Sequence, residues 1–183
     1  MPPVLVRHAT PDDAEAIERI RTDTWRVTYR GLMPDALLDG LGYDPTWRRQ
    51  RMAALPDDQF ALVAEEDGAV VGYCFGGRGR SDTDRFPGEV YAIYVWPAFQ
   101  GRGAGRALLG VAARELLRRG WRAMLIWVLR ENAPARRFYE RMGGRFVREE
   151  GRLIDGTSII EAGYGWGDIS RSFGGSSGKT QRM

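Results

Sequence analysis

Residues 89–106 read Glu-Val-Tyr-Ala-Ile-Tyr-Val-Trp-Pro-Ala-Phe-Gln-Gly-Arg-Gly-Ala-Gly-Arg, and the rest of the chain is organised around them. Residues 90–96 are β-branched and aromatic, a composition typical of a strand. Pro97 ends this strand because proline cannot donate a hydrogen bond to a sheet. After the glycines, apolar residues recur at helical spacing from Leu108 to Leu116. The stretch therefore predicts a strand, a glycine-rich turn and a helix.

The glycine-rich turn, residues 100–106, has the properties of an anion site. The first N–H groups of a helix have no partner within the helix, and the helix dipole places partial positive charge there. Glycines let a ligand approach the backbone closely, and Arg102 and Arg106 add full charges at the rim. The turn predicts a cradle for phosphate or pyrophosphate. A glycine-rich turn that binds nothing has the same local pattern.

Three phosphate-binding patterns can be compared with this turn. A P-loop requires a lysine, which is missing here, and the dinucleotide fingerprint Gly-x-Gly-x-x-Gly does not fit the register of the glycines. The pattern Gln/Arg-x-x-Gly-x-Gly/Ala fits at every position, with Gln100, Gly103 and Gly105. This pattern resembles the pyrophosphate-binding motif of the GNAT superfamily of acyl-CoA-dependent N-acetyltransferases.

Two further segments extend the resemblance. The family motif Asn-x-x-Ala-x-x-Phe-Tyr is matched by Asn132, Ala135, Phe138 and Tyr139. Residues 25–34 resemble the first-helix region of many bacterial members. The predicted order of elements over residues 4–166 is strand, two helices, three strands, helix, strand, helix and two strands, which is similar to the GNAT order.

The resemblance implies an α/β (α+β) fold. The expected fold has a GNAT-like mixed, mostly antiparallel central sheet of about seven strands, flanked by about four helices. A splayed pair of parallel strands, residues 91–95 and 123–129, is expected at its centre. The domain is expected to occupy residues 1–168, followed by a disordered Gly/Ser-rich tail over residues 169–183. Asp67-Gly68 is a hairpin turn signal, and Asp155-Gly156 is expected between the last two strands.

The resemblance also implies contacts with acetyl-CoA. Its pantetheine arm would lie between the splayed strands, in the manner of an added strand. The backbone that holds it would be that of Ile93, Tyr94 and Val95. An N–H near Val95 would polarise the thioester carbonyl. The pyrophosphate would be held by the turn: Gln100, Gly101, Arg102, Gly103, Ala104, Gly105 and Arg106.

Helix residues of the second motif are expected to complete the cofactor site. The resemblance implies that Asn132 contacts the cofactor arm. It also implies that Arg136 or Arg137 reaches the 3′-phosphate, although either one is equally compatible with a surface arginine.

The chemistry requires two proton-handling groups. Neutralising an amine of pKa about 10.4 at pH 7 costs roughly 4.6 kcal/mol, whereas an α-amine near 7.8 costs only about 1 kcal/mol. Tyr139 lies where the family places the acid for the departing thiolate, and packing beside Phe138 is the alternative. Glu89 lies where some members carry a catalytic glutamate that acts through water, and an exposed strand-end carboxylate is the alternative. Other members use a glutamate at the position of Trp127, so this departure weakens a protein N-terminus as acceptor.

The acceptor pocket is expected to include Trp25 and Tyr29. These residues are four apart, so they share one face of a helix. Core packing is the alternative for both. No decisive acidic cluster identifies the acceptor, which is expected to be the amine of a small molecule or peptide.

Composition limits the remaining classes. The chain has 183 residues, a net charge of +3, one cysteine and one histidine, Cys74 and His8. This composition predicts one domain without a disulfide framework or metal site. We see no signal peptide and no apolar run long enough to span a membrane, so a cytoplasmic protein without membrane partners is expected.

The leading functional hypothesis is an N-acetyltransferase acting on a primary amine. The alternative is a non-catalytic acyl-CoA-binding sensor or interaction domain, which would need the glycine-rich turn but neither Tyr139 nor Glu89. A nucleic-acid partner is not expected, because the arginines are dispersed and the Gly-Arg-Gly-Arg run at residues 77–80 is short. Whether the protein is a monomer or a homodimer stays open.

Overall fold

A computed structural model describes residues 3–174 of the chain. The strands are β1 Leu5–His8, β2 Gln59–Glu66, β3 Ala69–Arg78, β4 Gly88–Val95, β5 Met124–Leu129, β6 Arg145–Ile154 and β7 Thr157–Trp166. The α-helices are α1 Ala14–Thr28, α2 Asp35–Asp39, α3 Pro45–Ala53, α4 Ala104–Arg118, α5 Ala133–Arg141 and α6 Ile169–Phe173. The described residues thus contain six α-helices where about four were expected, and two of these, α2 and α6, have only five residues each.

All seven strands form one sheet with the order β1-β2-β3-β4-β5-β7-β6. Neighbouring strands run antiparallel except β4 and β5, which are parallel. This arrangement confirms the predicted mixed sheet. The parallel pair requires a long crossover, and α4 provides it.

The parallel strands are paired over only three positions. Gly88 pairs with Met124, and the last pair is Val90 with Ile126. Against β3, the register shifts so that Phe75 faces Ala92 while Gly76 faces Val90, which leaves Tyr91 as an extra residue. Such a β-bulge bends its strand. The second half of β4 therefore diverges from β5, and a gap opens between them.

The two sides of the sheet are covered by different helices. On one side, α4 buries Leu108, Leu109, Ala112 and Leu116 against the main hydrophobic core. On the other side, Ile17 and Ile20 of α1 pack against Val63 and Tyr73. Each fully buried leucine or isoleucine stabilises the fold by about 1.5–3 kcal/mol. The gap between β4 and β5 thus lies in a sheet that has helices packed on both of its faces.

The two hairpin turns have the conformation that their sequence predicts. Asp67 and Gly68 have φ of 52° and 78°, and Asp155 and Gly156 have φ of 46° and 79°. Positive φ at both central residues is the type I′ geometry that Asp-Gly favours. These turns set the register of β2 with β3 and of β6 with β7.

The start of the predicted disordered tail is folded. Residues 169–173 form α6, where Asp168 accepts a hydrogen bond from the backbone N–H of Ser170 at 3.1 Å. Ile169 is fully buried, and the Phe173 ring lies 6.2 Å from that of Trp166. The prediction is therefore wrong for these five residues, because their apolar side chains contact the core. Residues 175–183, the rest of the predicted tail, lie outside the described residues.

Within residues 3–174, no helix has the length and apolar character that crossing a bilayer requires.

Candidate active site

The gap between β4 and β5 exposes backbone groups of β4. The N–H of Trp96 donates to Val71 of the neighbouring β3 at 2.8 Å. Because backbone groups alternate in direction along a strand, those of Ile93 and Val95 point toward the gap. The backbone of Tyr94, two residues before Trp96, instead points toward β3 as that of Trp96 does. Of the three residues predicted to hold the cofactor arm, two therefore present their backbone to the gap.

The glycine-rich turn forms an open surface at the end of this gap. Gly101 and Gly103 have φ of 77° and 98°, and Gly103 is the N-cap of α4. A Cβ atom added to either residue would meet no atom within 4 Å. Both glycines are thus required by backbone conformation, and the space beside them is open. This geometry fits a bulky anion at the N-terminus of α4.

Three side chains of the turn have different surroundings. The Gln100 amide donates to the Val95 carbonyl at 3.0 Å, which ties the turn to the end of β4. Arg102 lies 3.1 Å from the Glu66 carboxylate. Arg106 lines a cleft of about 540 Å³ beside α4, and it has no salt-bridge partner within residues 3–174. Among the arginines of the turn, Arg106 therefore has its charge available for a ligand.

Asn132 and Arg136, the two residues near α5 that were predicted to contact the cofactor, already form hydrogen bonds within the protein. The Asn132 side chain caps α5 by accepting from the backbone N–H of Ala135 at 3.2 Å. The Arg136 guanidinium donates to the Tyr164 hydroxyl and to the Arg130 carbonyl, each at 3.0 Å. Asn132 retains its amide N–H groups for a ligand, whereas Arg136 is turned toward β7.

Tyr139 lies in the main core with its hydroxyl free. Its side chain is 6% exposed, and its ring packs edge-on against Phe138 with a centroid distance of 5.4 Å. The hydroxyl makes no hydrogen bond to the residues that the structure describes. Burial raises the pKa of this hydroxyl well above its ordinary value, and the nearby Tyr94 and Cys74 raise the pKa further. The group is therefore a neutral hydrogen-bond donor at physiological pH.

Glu89 is buried, which excludes the alternative of an exposed strand-end carboxylate. Its exposure is 1%, and both of its oxygens accept from Arg80. The Arg80 backbone N–H donates to Oε2 at 2.8 Å and its Nε donates to Oε1 at 3.0 Å. Sequence analysis missed this partner, because the two residues are joined by the folding of a loop and not by any local pattern.

Glu161 is a second carboxylate near Glu89 that sequence analysis missed. One oxygen, Oε2, lies 2.6 Å from Nε of Arg152. Burial raises the pKa of the Glu161 carboxyl, Arg152 and Arg80 oppose the rise, and Glu89 and Glu150 reinforce it. The carboxylate thus occupies a partly desolvated position among charges of both signs.

The alternation of β7 holds the only sequence signal for this residue. Ala162, Tyr164 and Trp166 belong to the main core. Ile159 and Glu161 point to the opposite side of the sheet, where Ile159 packs with Tyr29 and Leu129. A carboxylate two positions after a buried isoleucine is thus predicted on a partly buried face of the strand, where charged side chains are uncommon unless they are paired.

The predicted aromatic residues line the same side of the sheet. Trp25 and Tyr29 pack edge-on with their ring centroids 5.2 Å apart. The Tyr29 hydroxyl lies 3.3 Å from that of Tyr94. Tyr29 also belongs to a buried cluster with Leu129. Tyr29 is therefore a core residue, Trp25 is a half-buried residue packed against the same cluster, and both lie beside the gap.

The raised pKa of Glu161 predicts a pH-dependent change in stability. Because the pKa of Glu161 is raised in the folded state, the contribution of this group to the free energy of unfolding is fully present at low pH. That contribution is lost as the pH rises through the folded-state pKa. We therefore expect Glu161→Gln, which imitates the protonated form, to melt above the parent protein at pH 8 and near it at pH 4.5. Scanning calorimetry across this range tests the expectation, with Glu150→Gln on the neighbouring strand as control. A lower Tm of Glu161→Gln at pH 8 would contradict it.

The sequence of this chain matches a known protein family. A family model described as the acetyltransferase (GNAT) family matches residues 15–144. The chain belongs to the GNAT acetyltransferase family. It is an acyl-CoA-dependent acetyltransferase, as the three sequence motifs predict.

Three similar proteins illustrate the relationship. This GNAT chain is 34% identical to uncharacterised N-acetyltransferase YuaI of Bacillus subtilis (strain 168), over 91% of this chain and 95% of the other. It is 40% identical to L-methionine sulfoximine/L-methionine sulfone acetyltransferase of Salmonella typhimurium (strain LT2), over 45% of this chain and 48% of the other. The structure of the acetyltransferase yncA from Salmonella typhimurium with its cofactor acetyl-CoA is similar, with 27% identity and a TM-score of 0.66. That match covers 89% of this chain and 92% of the other.

Residues 3–174 contain no group of three or more His, Cys, Asp or Glu side chains that could hold a metal ion.

Proposed function

We propose that this GNAT enzyme transfers the acetyl group of acetyl-CoA to a primary amine by direct attack in a ternary complex. The observation that carries the proposal is the gap between β4 and β5, which ends at the open glycine-rich turn. The gap offers backbone groups to an extended arm, and the turn offers helix N–H groups to phosphates. Acetyl-CoA has an extended pantetheine arm followed by a pyrophosphate, in the same order as the gap and the turn.

The proposed binding roles follow from the contacts described above. The backbone of Ile93 and Val95 holds the pantetheine arm, and the N–H of Val95 polarises the thioester carbonyl. The turn from Gln100 to Arg106, including Ala104 and Gly105, holds the pyrophosphate. Arg106 supplies charge without breaking an ion pair to any residue between 3 and 174. Asn132 contacts the arm through its amide N–H groups, and Arg136 would have to release Tyr164 to reach the 3′-phosphate.

The proposed chemistry uses Tyr139 and Glu89. The Tyr139 hydroxyl, which burial keeps protonated, donates a hydrogen bond to the departing sulfur and passes its proton to the sulfur as negative charge develops there. Glu89 acts as a general base through a bridging water. It cannot contact the amine directly, because its side chain is 1% exposed and both oxygens accept from Arg80.

The acceptor is proposed from the lining of the site and from one relative. Trp25 and Tyr29 form an aromatic wall on the side opposite α4. The Salmonella typhimurium relative is named for two amino-acid derivatives. We therefore place amino acids and their derivatives first among the candidate acceptors, with other small amines and peptides after them.

The macromolecular partners of the enzyme and its cellular location are predictions as well. We propose an enzyme without nucleic-acid or membrane partners that acts in the cytoplasm. Light scattering of the purified protein would distinguish a monomer from a homodimer.

Release of free CoA from acetyl-CoA tests the proposed function. The panel contains amino acids and their sulfone or sulfoximine derivatives, polyamines, aminoglycosides, aryl amines and peptides with free N-termini. Turnover on one class, with the acetylated product identified by mass spectrometry, is the expected result. Tight acetyl-CoA binding without turnover on any amine would contradict catalysis, and absence of binding would overturn the interpretation of the turn.

A further inference from the structure

A primary ammonium loses two protons when it becomes an amide. One proton must leave before the nitrogen can attack, and the second leaves after the new C–N bond has formed. Two carboxylates lie close enough to Glu161 to raise its pKa, Glu89 and Glu150. Glu150 lies beside two arginines of β6, Arg148 and Arg152, which leaves Glu89 and Glu161 as the candidate proton acceptors. Two proton losses and two carboxylates raise the question of which carboxylate receives the first proton.

The two carboxylates differ in how much of each group is available. Glu89 is 1% exposed with both oxygens held by Arg80. The Glu161 side chain is 19% exposed, and its Oε2 lies beside Arg152. Its Oε1 has no hydrogen-bond partner within residues 3–174. Glu161 therefore has one oxygen oriented by an ion pair and one oxygen available to a ligand.

The position of Glu161 also suits contact with an acceptor. It pairs with Leu129 at the end of β5, three positions beyond the last parallel pair, Val90 with Ile126. This is the part of the sheet where the strands have separated. Leu129 packs with Tyr29 on the acceptor side. Glu161 is also close enough to Tyr94 to raise the pKa of that hydroxyl.

We propose that Oε1 of Glu161 binds the acceptor ammonium directly and takes its first proton. This inference rests on the proposed function, since it assigns a role within the same reaction. It makes Glu161 a catalytic residue that sequence analysis did not identify. Glu89, acting through water, then takes the second proton.

The proton and bond changes balance. The ammonium gives one proton to the Glu161 carboxylate and becomes a neutral amine. The nitrogen forms a bond to the acetyl carbonyl carbon and loses its second proton through water toward Glu89. The C–S bond breaks with its electron pair on sulfur, and Tyr139 protonates the sulfur. Solvent then reprotonates Tyr139 and receives the protons from both carboxylates, so one proton is released for each turnover.

Charged groups from three elements surround Glu161. Arg152 and Glu150 come from β6, Glu89 comes from β4, and Arg80 comes from the segment that follows β3. Two cations and two anions leave the local charge balanced apart from Glu161 itself. An acceptor ammonium that enters beside Tyr29 would therefore be attracted by the uncompensated negative charge of Glu161.

The pH dependence of kcat/KM tests this role, measured with the best amine of the panel whose pKa is near 10. In the parent enzyme, the ammonium is the form that binds, so kcat/KM is expected to be flat from pH 7 to 9. Without Glu161, only the neutral amine can react, and its fraction rises about tenfold per pH unit below its pKa. We expect Glu161→Gln to lose about 10²-fold at pH 7. The deficit should shrink by about tenfold for each pH unit.

The matched control is Glu150→Gln, which removes a neighbouring carboxylate that also lies near Arg152. It is expected to keep the flat profile, and Glu161→Asp is expected to restore part of the activity with the same flat profile. Acetyl-CoA affinity, measured by calorimetry, should be unchanged in all three variants. An equal loss of Glu161→Gln at every pH, or no loss, would overturn the role of Glu161 while leaving the proposed function intact. Absence of turnover by the parent enzyme would overturn both.

Discussion

Tyr139→Phe is expected to lower kcat by about 10²-fold or more, with little change in the affinity for acetyl-CoA or in Tm. The departing thiolate loses its proton donor, whereas the ring and its packing against Phe138 are kept. The small effect on stability follows because the hydroxyl makes no hydrogen bond to the described residues that the substitution would break. Single-turnover kinetics with saturating acetyl-CoA and amine measure the chemical step.

The neighbouring Tyr164 offers a matched control. Its ring lies 6.1 Å from that of Tyr139, and its hydroxyl donates to Glu140 at 2.8 Å and accepts from Arg136 at 3.0 Å. We expect Tyr164→Phe to lower Tm, because two partners lose a hydrogen bond, and to keep kcat within about threefold. Full activity of Tyr139→Phe, or an equal loss in both variants, would remove the assignment of Tyr139 as the acid.

Gly103→Val should weaken acetyl-CoA binding by more than about tenfold and also lower Tm. The residue has φ of 98° at the N-cap of α4, and a left-handed conformation costs other residues about 1–2 kcal/mol. A β-branched side chain would further project into the open space beside Gly103, within the turn where the pyrophosphate is proposed to bind. Calorimetric titration with acetyl-CoA gives the affinity, and scanning calorimetry of the free protein gives the Tm.

Gly105→Ala separates ligand approach from general damage to the turn. Gly105 lies in the first turn of α4 without a positive φ, and its added Cβ would make an ordinary contact with Phe138 at 3.5 Å. Alanine also satisfies the motif at this position. We expect acetyl-CoA affinity within about threefold of the parent protein and an equal or higher Tm, because alanine favours a helix. Unchanged acetyl-CoA affinity in Gly103→Val would exclude this turn as the pyrophosphate site.

Patterns that depend on neighbouring residues could be predicted from the sequence. The type I′ turn at Asp67-Gly68 follows from two residues that tolerate positive φ. The strand, turn and helix around Gly103 follow from short-range periodicity and from the backbone freedom of glycine. The family, and with it the diverging parallel pair, followed from three motifs in a fixed order. These features are local, or they recur wherever such motifs recur.

The sequence by itself thus determined the fold class, the glycine-rich turn and the family, because these follow from short motifs and from the order of those motifs along the chain. Only the tertiary structure decided how the charged side chains are used. It buries Glu89 against Arg80, turns Arg136 toward Tyr164, and places Glu161 beside Arg152 on the side of the sheet opposite α4. These contacts join different strands, helices and loops, so they depend on register, on the bulge at Tyr91 and on the crossover through α4. No local pattern contains that information, because the free energy of burying a charge depends on what the folded chain places around it.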